Sequence, residues 1–168
     1  MSESEIIRAR TDGPDATKAL AAALAVCLAD GDLVVLSGDL GAGKTCFTQG
    51  LGHGLGVEER ITSPTFTLAA VYEGRLRLNH LDVYRLDGVG ETLDLDLPDL
   101  LEDGVTVIEW GTKIDPVLPA DRLSIELRFE HGPDCDNRRS LRIELAGSPW
   151  LRRRDALVAA LGPWVAPC

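Results

Sequence analysis

The chain has 168 residues, 45% of them hydrophobic, and 27 acidic against 17 basic side chains give a net charge of -10. Its length suits one domain, residues 1–168, because a chain of about 150 residues buries roughly 68–70% of its unfolded surface. The acidic balance disfavours a direct grip on a polyanion, no apolar run is long enough to span a membrane, and Met1-Ser2-Glu3-Ser4-Glu5 lacks the basic start of an export signal. The expectation is a cytoplasmic protein that does not bind membranes.

Four cysteines, Cys27, Cys46, Cys135 and Cys168, lack the paired C-x-x-C spacing of zinc sites and the framework of a disulfide scaffold. They are read as reduced thiols, mainly structural. After a polar start, residues 15–29 are rich in alanine and leucine, with Asp15 as a candidate cap and Gly31 as a stop, and read as a helix packed on a sheet. Residues 33–37 form an apolar, β-branched strand.

The segment that follows, Gly38-Asp39-Leu40-Gly41-Ala42-Gly43-Lys44-Thr45, matches G-x-x-x-x-G-K-[ST] at every fixed position. Glycines allow the backbone to fold around an anionic chain with successive N–H groups aimed inward, Lys44 supplies a fixed charge, and the Thr45 hydroxyl suits magnesium. The loop opens a helix over residues 43–55, whose N-terminal dipole favours phosphate. Asp39, Leu40, Gly41, Ala42, Gly43, Lys44, Thr45 and Cys46 are therefore the candidate nucleotide-binding residues. Gly52, Gly54 and Gly56 are expected to break up the helix.

Further along, residues 60–64 read as irregular, and residues 66–72 and 75–84 as two strands around Glu73-Gly74, the second ending in Asp82. Residues 91–101 read as a short helix with a break at Pro98. Residues 105–108 are a compact apolar run of the kind found inside parallel sheets, and they deliver Glu109 and Trp110 at the carboxyl end, where ligands gather in open α/β sheets. Residues 122–130 and 140–145 alternate as an exposed hairpin, and residues 151–161 close the chain with a helix. The fold class expected is α/β: a phosphate-loop domain with a mixed, mostly parallel sheet flanked by helices and extended by β-hairpins.

A phosphate loop alone neither completes a magnesium shell nor orients water, which directs attention to carboxylates at strand ends. Asp82 and Glu109 qualify, the alternative being two solvent-facing acids. A charge ending an apolar strand is poorly placed unless something cationic meets it. The loop Thr62-Ser63-Pro64-Thr65-Phe66-Thr67 offers hydroxyls around a proline, as a switch sensing a terminal phosphate would, or as a simple turn. Thr112-Lys113-Ile114-Asp115 matches a guanine-reading tetrapeptide but follows Glu109 at once, so a surface loop is preferred.

Taken in order, the phosphate loop, Thr62-Ser63-Pro64-Thr65-Phe66-Thr67-Leu68, His80-Leu81-Asp82-Val83-Tyr84-Arg85-Leu86 and Ile108-Glu109-Trp110 resemble the TsaE (YjeE) family of bacterial tRNA threonylcarbamoyladenosine synthesis. The resemblance implies a small protein that binds ATP or ADP with magnesium and hydrolyses ATP slowly, acting with the TsaB and TsaD subunits and meeting tRNA only indirectly. It also implies roles. Lys44 would neutralise phosphate, Thr45 and Glu109 would hold magnesium, Asp82 would assist the metal or its water, Ser63 and Thr65 would form the switch-like loop with Trp110 closing on it, and Arg139 would reach the nucleotide. The chain departs from the family pattern at Gly111-Thr112. Two competing functions share the loop: a small-molecule kinase, with Arg75, Arg77 and Arg85 as lid candidates, and a nucleotide-gated binding module without essential hydrolysis.

Overall fold

The computed structural model describes residues 3–64, 66–87, 90–92 and 96–165. One seven-stranded sheet organises them, built from β1 (Ser4–Thr11), β2 (Leu33–Ser37), β3 (Ala69–Tyr72), β4 (Leu78–Asp82), β5 (Val105–Glu109), β6 (Arg122–Phe129) and β7 (Arg139–Ala146), in the order β1-β7-β6-β2-β5-β4-β3. The β6–β2, β2–β5 and β5–β4 pairs are parallel, whereas β1–β7, β7–β6 and β4–β3 are antiparallel. Five of the seven strands (β1, β6, β2, β5, β4) thus run the same way, as expected of a mixed, mostly parallel sheet.

The alternation along β2 assigns the two cores to opposite faces. Val34 and Leu36 join the larger one with α1 (Pro14–Ala25), α2 (Lys44–Gly54) and α5 (Arg154–Leu161), where Leu20, Leu24, Phe47, Leu51, Trp150 and Leu157 are fully buried. Leu33 and Val35 face a smaller core made by Leu81, Ile108, Leu97 of α3 (Leu97–Glu102), Ile114 within the 3-10 helix Gly111–Val117, and Leu118 just after it. All five residues of β5 are buried, the pattern of a central parallel strand covered on both sides.

Several expectations change. The polar start contains a full strand, β1, whose eight residues pair with β7. Helix α2 runs through Gly50 and Gly52 and ends at Gly54, so of the three expected breakers Gly52 does not interrupt it, whereas Gly56, with φ 80°, lies just past its end. A methyl group on Gly50 would lie 2.4 Å from the Lys18 carbonyl oxygen, and one on Gly54 would lie 2.6 Å from that of Ala22, so these glycines let α1 and α2 touch backbone to backbone. Pro98 starts α3 instead of breaking a helix, since its ring is tolerated in a first turn; the upstream part of that expectation, residues 93–95, lies outside the described residues. The β6–β7 hairpin is no exposed addition: β6 pairs with β2, and Leu123, Ile125, Leu127, Leu141, Ile143 and Leu145 enter the main core. The closing helix is two, α4 (Ser148–Leu151) and α5. Among the described residues no helix is long and apolar enough to cross a membrane.

Candidate functional site

The loop between β2 and α2 leaves the carboxyl end of a central strand and enters α2 through Gly43, whose left-handed backbone (φ 110°) no larger residue adopts without strain. The first residue of α2, Lys44, folds back over this loop, and its Nζ donates to the carbonyl oxygens of Gly38 at 2.7 Å and Asp39 at 2.9 Å. Its ammonium also lies 3.9 Å from the centroid of the Trp110 ring, a cation–π contact. Burial pulls the Lys44 ammonium below its ordinary value, against the opposing pull of Glu109, Asp82 and Asp39.

Parallel pairing of β4 with β5 sets Asp82 directly opposite Glu109, both on the sheet face that α2 covers. Glu109 is 1% exposed and Asp82 5%. The Thr45 hydroxyl donates to Glu109 Oε2 at 3.2 Å. Ser63 donates through its hydroxyl to Asp82 Oδ2 at 2.7 Å, and the Tyr84 amide donates to Asp82 Oδ1 at 2.9 Å. Trp110 turns the chain sharply with φ 62°, and its ring centroid lies 4.8 Å from that of Tyr84. Together these groups line a cleft of about 400 Å³ whose walls include Leu40, Gly41, Gly43, Lys44, Thr45, Cys46, Ser63, Asp82, Tyr84, Glu109 and Trp110.

Most residues singled out in the sequence therefore meet in one place. Ala42 is buried beneath the loop. Arg139 joins from the side: its Nε donates to the Ala42 carbonyl at 3.1 Å while its guanidinium stacks on Phe129 at 4.2 Å. Cys46 sits on the rim with its thiol bonded to the Pro14 carbonyl, and burial raises its pKa against the lowering effect of Lys18. Thr65 lies outside the described residues. Tyr84 and His80 carry no assignment from sequence, yet the two-residue period of a strand puts His80 on the same side as Asp82, a signal present in the motif itself.

Other candidates are accounted for elsewhere. Asp115 pairs with Arg122 and Ile114 is buried, so Thr112-Lys113-Ile114-Asp115 is a packed surface turn. Gly111 fits there because a methyl group would meet Val35 Cγ1 at 2.5 Å, which gives the departure from the family pattern a packing reason. Arg75 donates to the Ala25 carbonyl, and Arg77 pairs with Glu73 and Asp103, which removes both from any cationic lid.

The architecture is thus a mixed α/β sheet with a glycine-rich strand-to-helix loop opposed by two buried strand-end carboxylates. Residues 11–140 match the family model for the threonylcarbamoyl adenosine biosynthesis protein TsaE. The chain belongs to the TsaE family, whose members take part in tRNA threonylcarbamoyladenosine biosynthesis. It is 52% identical over 102 residues to the TsaE of Treponema pallidum (strain Nichols), covering 60% of this chain and 76% of that one. With the TsaE of Streptomyces coelicolor it shares 45% identity over 131 residues, 76% of this chain and 88% of the relative. The crystal structure of Bacillus subtilis YdiB superposes with a TM-score of 0.74 at 34% sequence identity, covering 95% of this chain and 97% of the other.

Proposed function

We propose that this chain is an ATP-hydrolysing component of tRNA threonylcarbamoyladenosine synthesis, binding ATP or ADP with magnesium, turning over slowly, and acting with TsaB and TsaD while meeting tRNA only through them. The observation that carries the reading is the convergence of Thr45 and Glu109, 3.2 Å apart, beneath a loop whose Lys44 is held over its own carbonyls. Two buried carboxylates facing one buried ammonium leave an uncompensated negative charge, and buried charge is costly unless paired. A hard divalent cation fits that deficit, with the Thr45 hydroxyl and Glu109 carboxylate as the oxygen ligands that would hold it. Magnesium, when bound, screens the phosphates and polarises the terminal phosphoryl group.

The chain's own groups supply the rest. Lys44 neutralises phosphate charge in place of the carbonyls it now contacts. Asp82, fixed by Ser63 and the Tyr84 amide, is oriented to accept a hydrogen bond from an attacking water. Tyr84 and Trp110 wall off solvent on one side. Leu40 (76% exposed) and Phe66 (86% exposed) flank this region with apolar area suited to cover by a protein partner. The net charge of -10 agrees with work through partners and not through direct tRNA binding.

The test is magnesium-dependent ATP hydrolysis measured alone and with TsaB and TsaD. Lys44→Ala and Glu109→Gln are expected to lower turnover at least 100-fold in both settings, the scale of losing preorganised charge stabilisation. Unchanged turnover in both variants rejects the reading, and phosphate transfer to a metabolite without partners replaces it with a kinase.

A further inference from the structure

One fully buried side chain near the cleft has no role in the account above. His80 is 0% exposed and sits on β4 two residues before Asp82, on the same face of the sheet. In the parallel register it lies opposite Val107, hence diagonally behind Glu109. Its Nε2 is 3.6 Å from Glu109 Oε1. Among the described residues, neither ring nitrogen of His80 nor Glu109 Oε1 has a hydrogen-bond partner, whereas Glu109 Oε2 accepts from Thr45.

Unmet polar atoms in a dry interior are destabilising, and a leucine would fill the same space without them. The arrangement leaves a ring nitrogen and a carboxylate oxygen facing each other just beyond bonding distance. A proton on Nε2 serves both when they close by a few tenths of an ångström, to the usual range of about 2.7–3.2 Å.

We propose that His80 is a positioning residue for Glu109: its Nε2–H holds Oε1 and so fixes the rotation of the carboxylate, keeping Oε2 turned toward Thr45 and the cation. The inference rests on the reading of Glu109 as a magnesium ligand. Residues behind metal ligands set ligand orientation in this way, and their loss weakens metal binding by roughly 10–100-fold. His80 touches neither nucleotide nor metal in this scheme; it acts through Glu109 alone.

The test measures binding of N-methylanthraniloyl-ADP with magnesium and with EDTA, and takes the ratio of the two affinities. In the wild-type chain magnesium is expected to tighten binding, and a wild-type chain with no such gain overturns both the magnesium reading and the His80 inference. His80→Leu is expected to shrink that gain roughly ten-fold while affinity in EDTA stays within two-fold of wild type. His80→Gln, whose amide nitrogen reaches close to the position of Nε2, is expected to retain most of the gain, and His80→Asn, whose amide is one bond shorter, to lose it.

Glu109→Gln separates the positioning role of His80 from the metal-ligand role of Glu109. If Glu109→Gln loses the magnesium gain but His80→Leu keeps it, the positioning role is overturned and Glu109's role stands. If Glu109→Gln keeps the gain, the magnesium reading of Glu109 fails and takes the His80 inference with it. Should His80→Leu fail to fold, the Gln and Asn variants decide, and equal retention or equal loss in both overturns the proposal.

Discussion

Replacing Gly50 by alanine tests whether the helix that follows the glycine-rich loop is held by backbone contact with α1. A methyl group there would lie 2.4 Å from the Lys18 carbonyl oxygen, 2.5 Å from its Cα and 2.8 Å from its carbonyl carbon. Non-bonded carbon contacts settle near ~3.5 Å, so the helices must part by about 1 Å. Alanine in a helix interior is otherwise favoured over glycine by about 1 kcal/mol. Overpacking costs about 1–3 kcal/mol, and the upper end applies because the obstacle is backbone on a helix itself locked by fully buried Leu20, Ala21 and Leu24. The net is a loss of about 2 kcal/mol, or a fall in Tm of about 4–8 °C for a chain of this size. Thermal and urea unfolding read the loss, and nucleotide titration reads its reach, because Lys44 and Thr45 begin the displaced helix. A Tm that stays level or rises refutes the crossing as described, since propensity alone then governs the site.

Two further outcomes follow from side chains at the cleft. Because the Trp110 ring rests on the Lys44 ammonium at 3.9 Å, ADP or ATP should change tryptophan emission as Lys44 turns to phosphate, and Trp110→Phe should abolish the change despite retaining Trp150 and Trp164; a wild-type signal that does not respond to nucleotide counts against the coupling. Burial raises the Cys46 pKa above its ordinary 9.0, so the unreactive protonated form persists to higher pH. Its alkylation by iodoacetamide at pH 8, followed by peptide mass spectrometry, should be slower than that of a free thiol and still climbing above pH 9, with nucleotide slowing it further. A plateau below pH 9 contradicts the burial.

What was legible in the sequence was what local chemistry dictates. The apolar run of β2 with its glycine-rich loop, and Glu109 at the end of β5, are each readable within a dozen residues, and the structure brings them together. What was not legible depends on distant partners. Strand β1 exposes Arg8 and Arg10 on one side and begins with exposed Ser4 and Glu5, so its segment reads as polar until β7 pairs with all eight of its residues. The glycines of α2 look like breakers because the compensating contact with α1 lies some thirty residues away along the chain. The facing of Asp82 and Glu109 needs the β4–β5 register, and His80 gains its neighbour only from that same register.

The two carbonyl bonds that already clamp Lys44 have an energetic corollary for ligand capture. A free lysine side chain surrenders about 2 kcal/mol of rotamer freedom when fixed. In this chain that ordering is incurred as the protein folds, so under the proposed nucleotide-binding role an arriving polyphosphate would meet a cation that is already immobile and would have only to exchange one set of acceptors for another. Affinity would then be governed less by organising the receptor than by the difference in strength between carbonyl and phosphoryl oxygens as partners for one ammonium group.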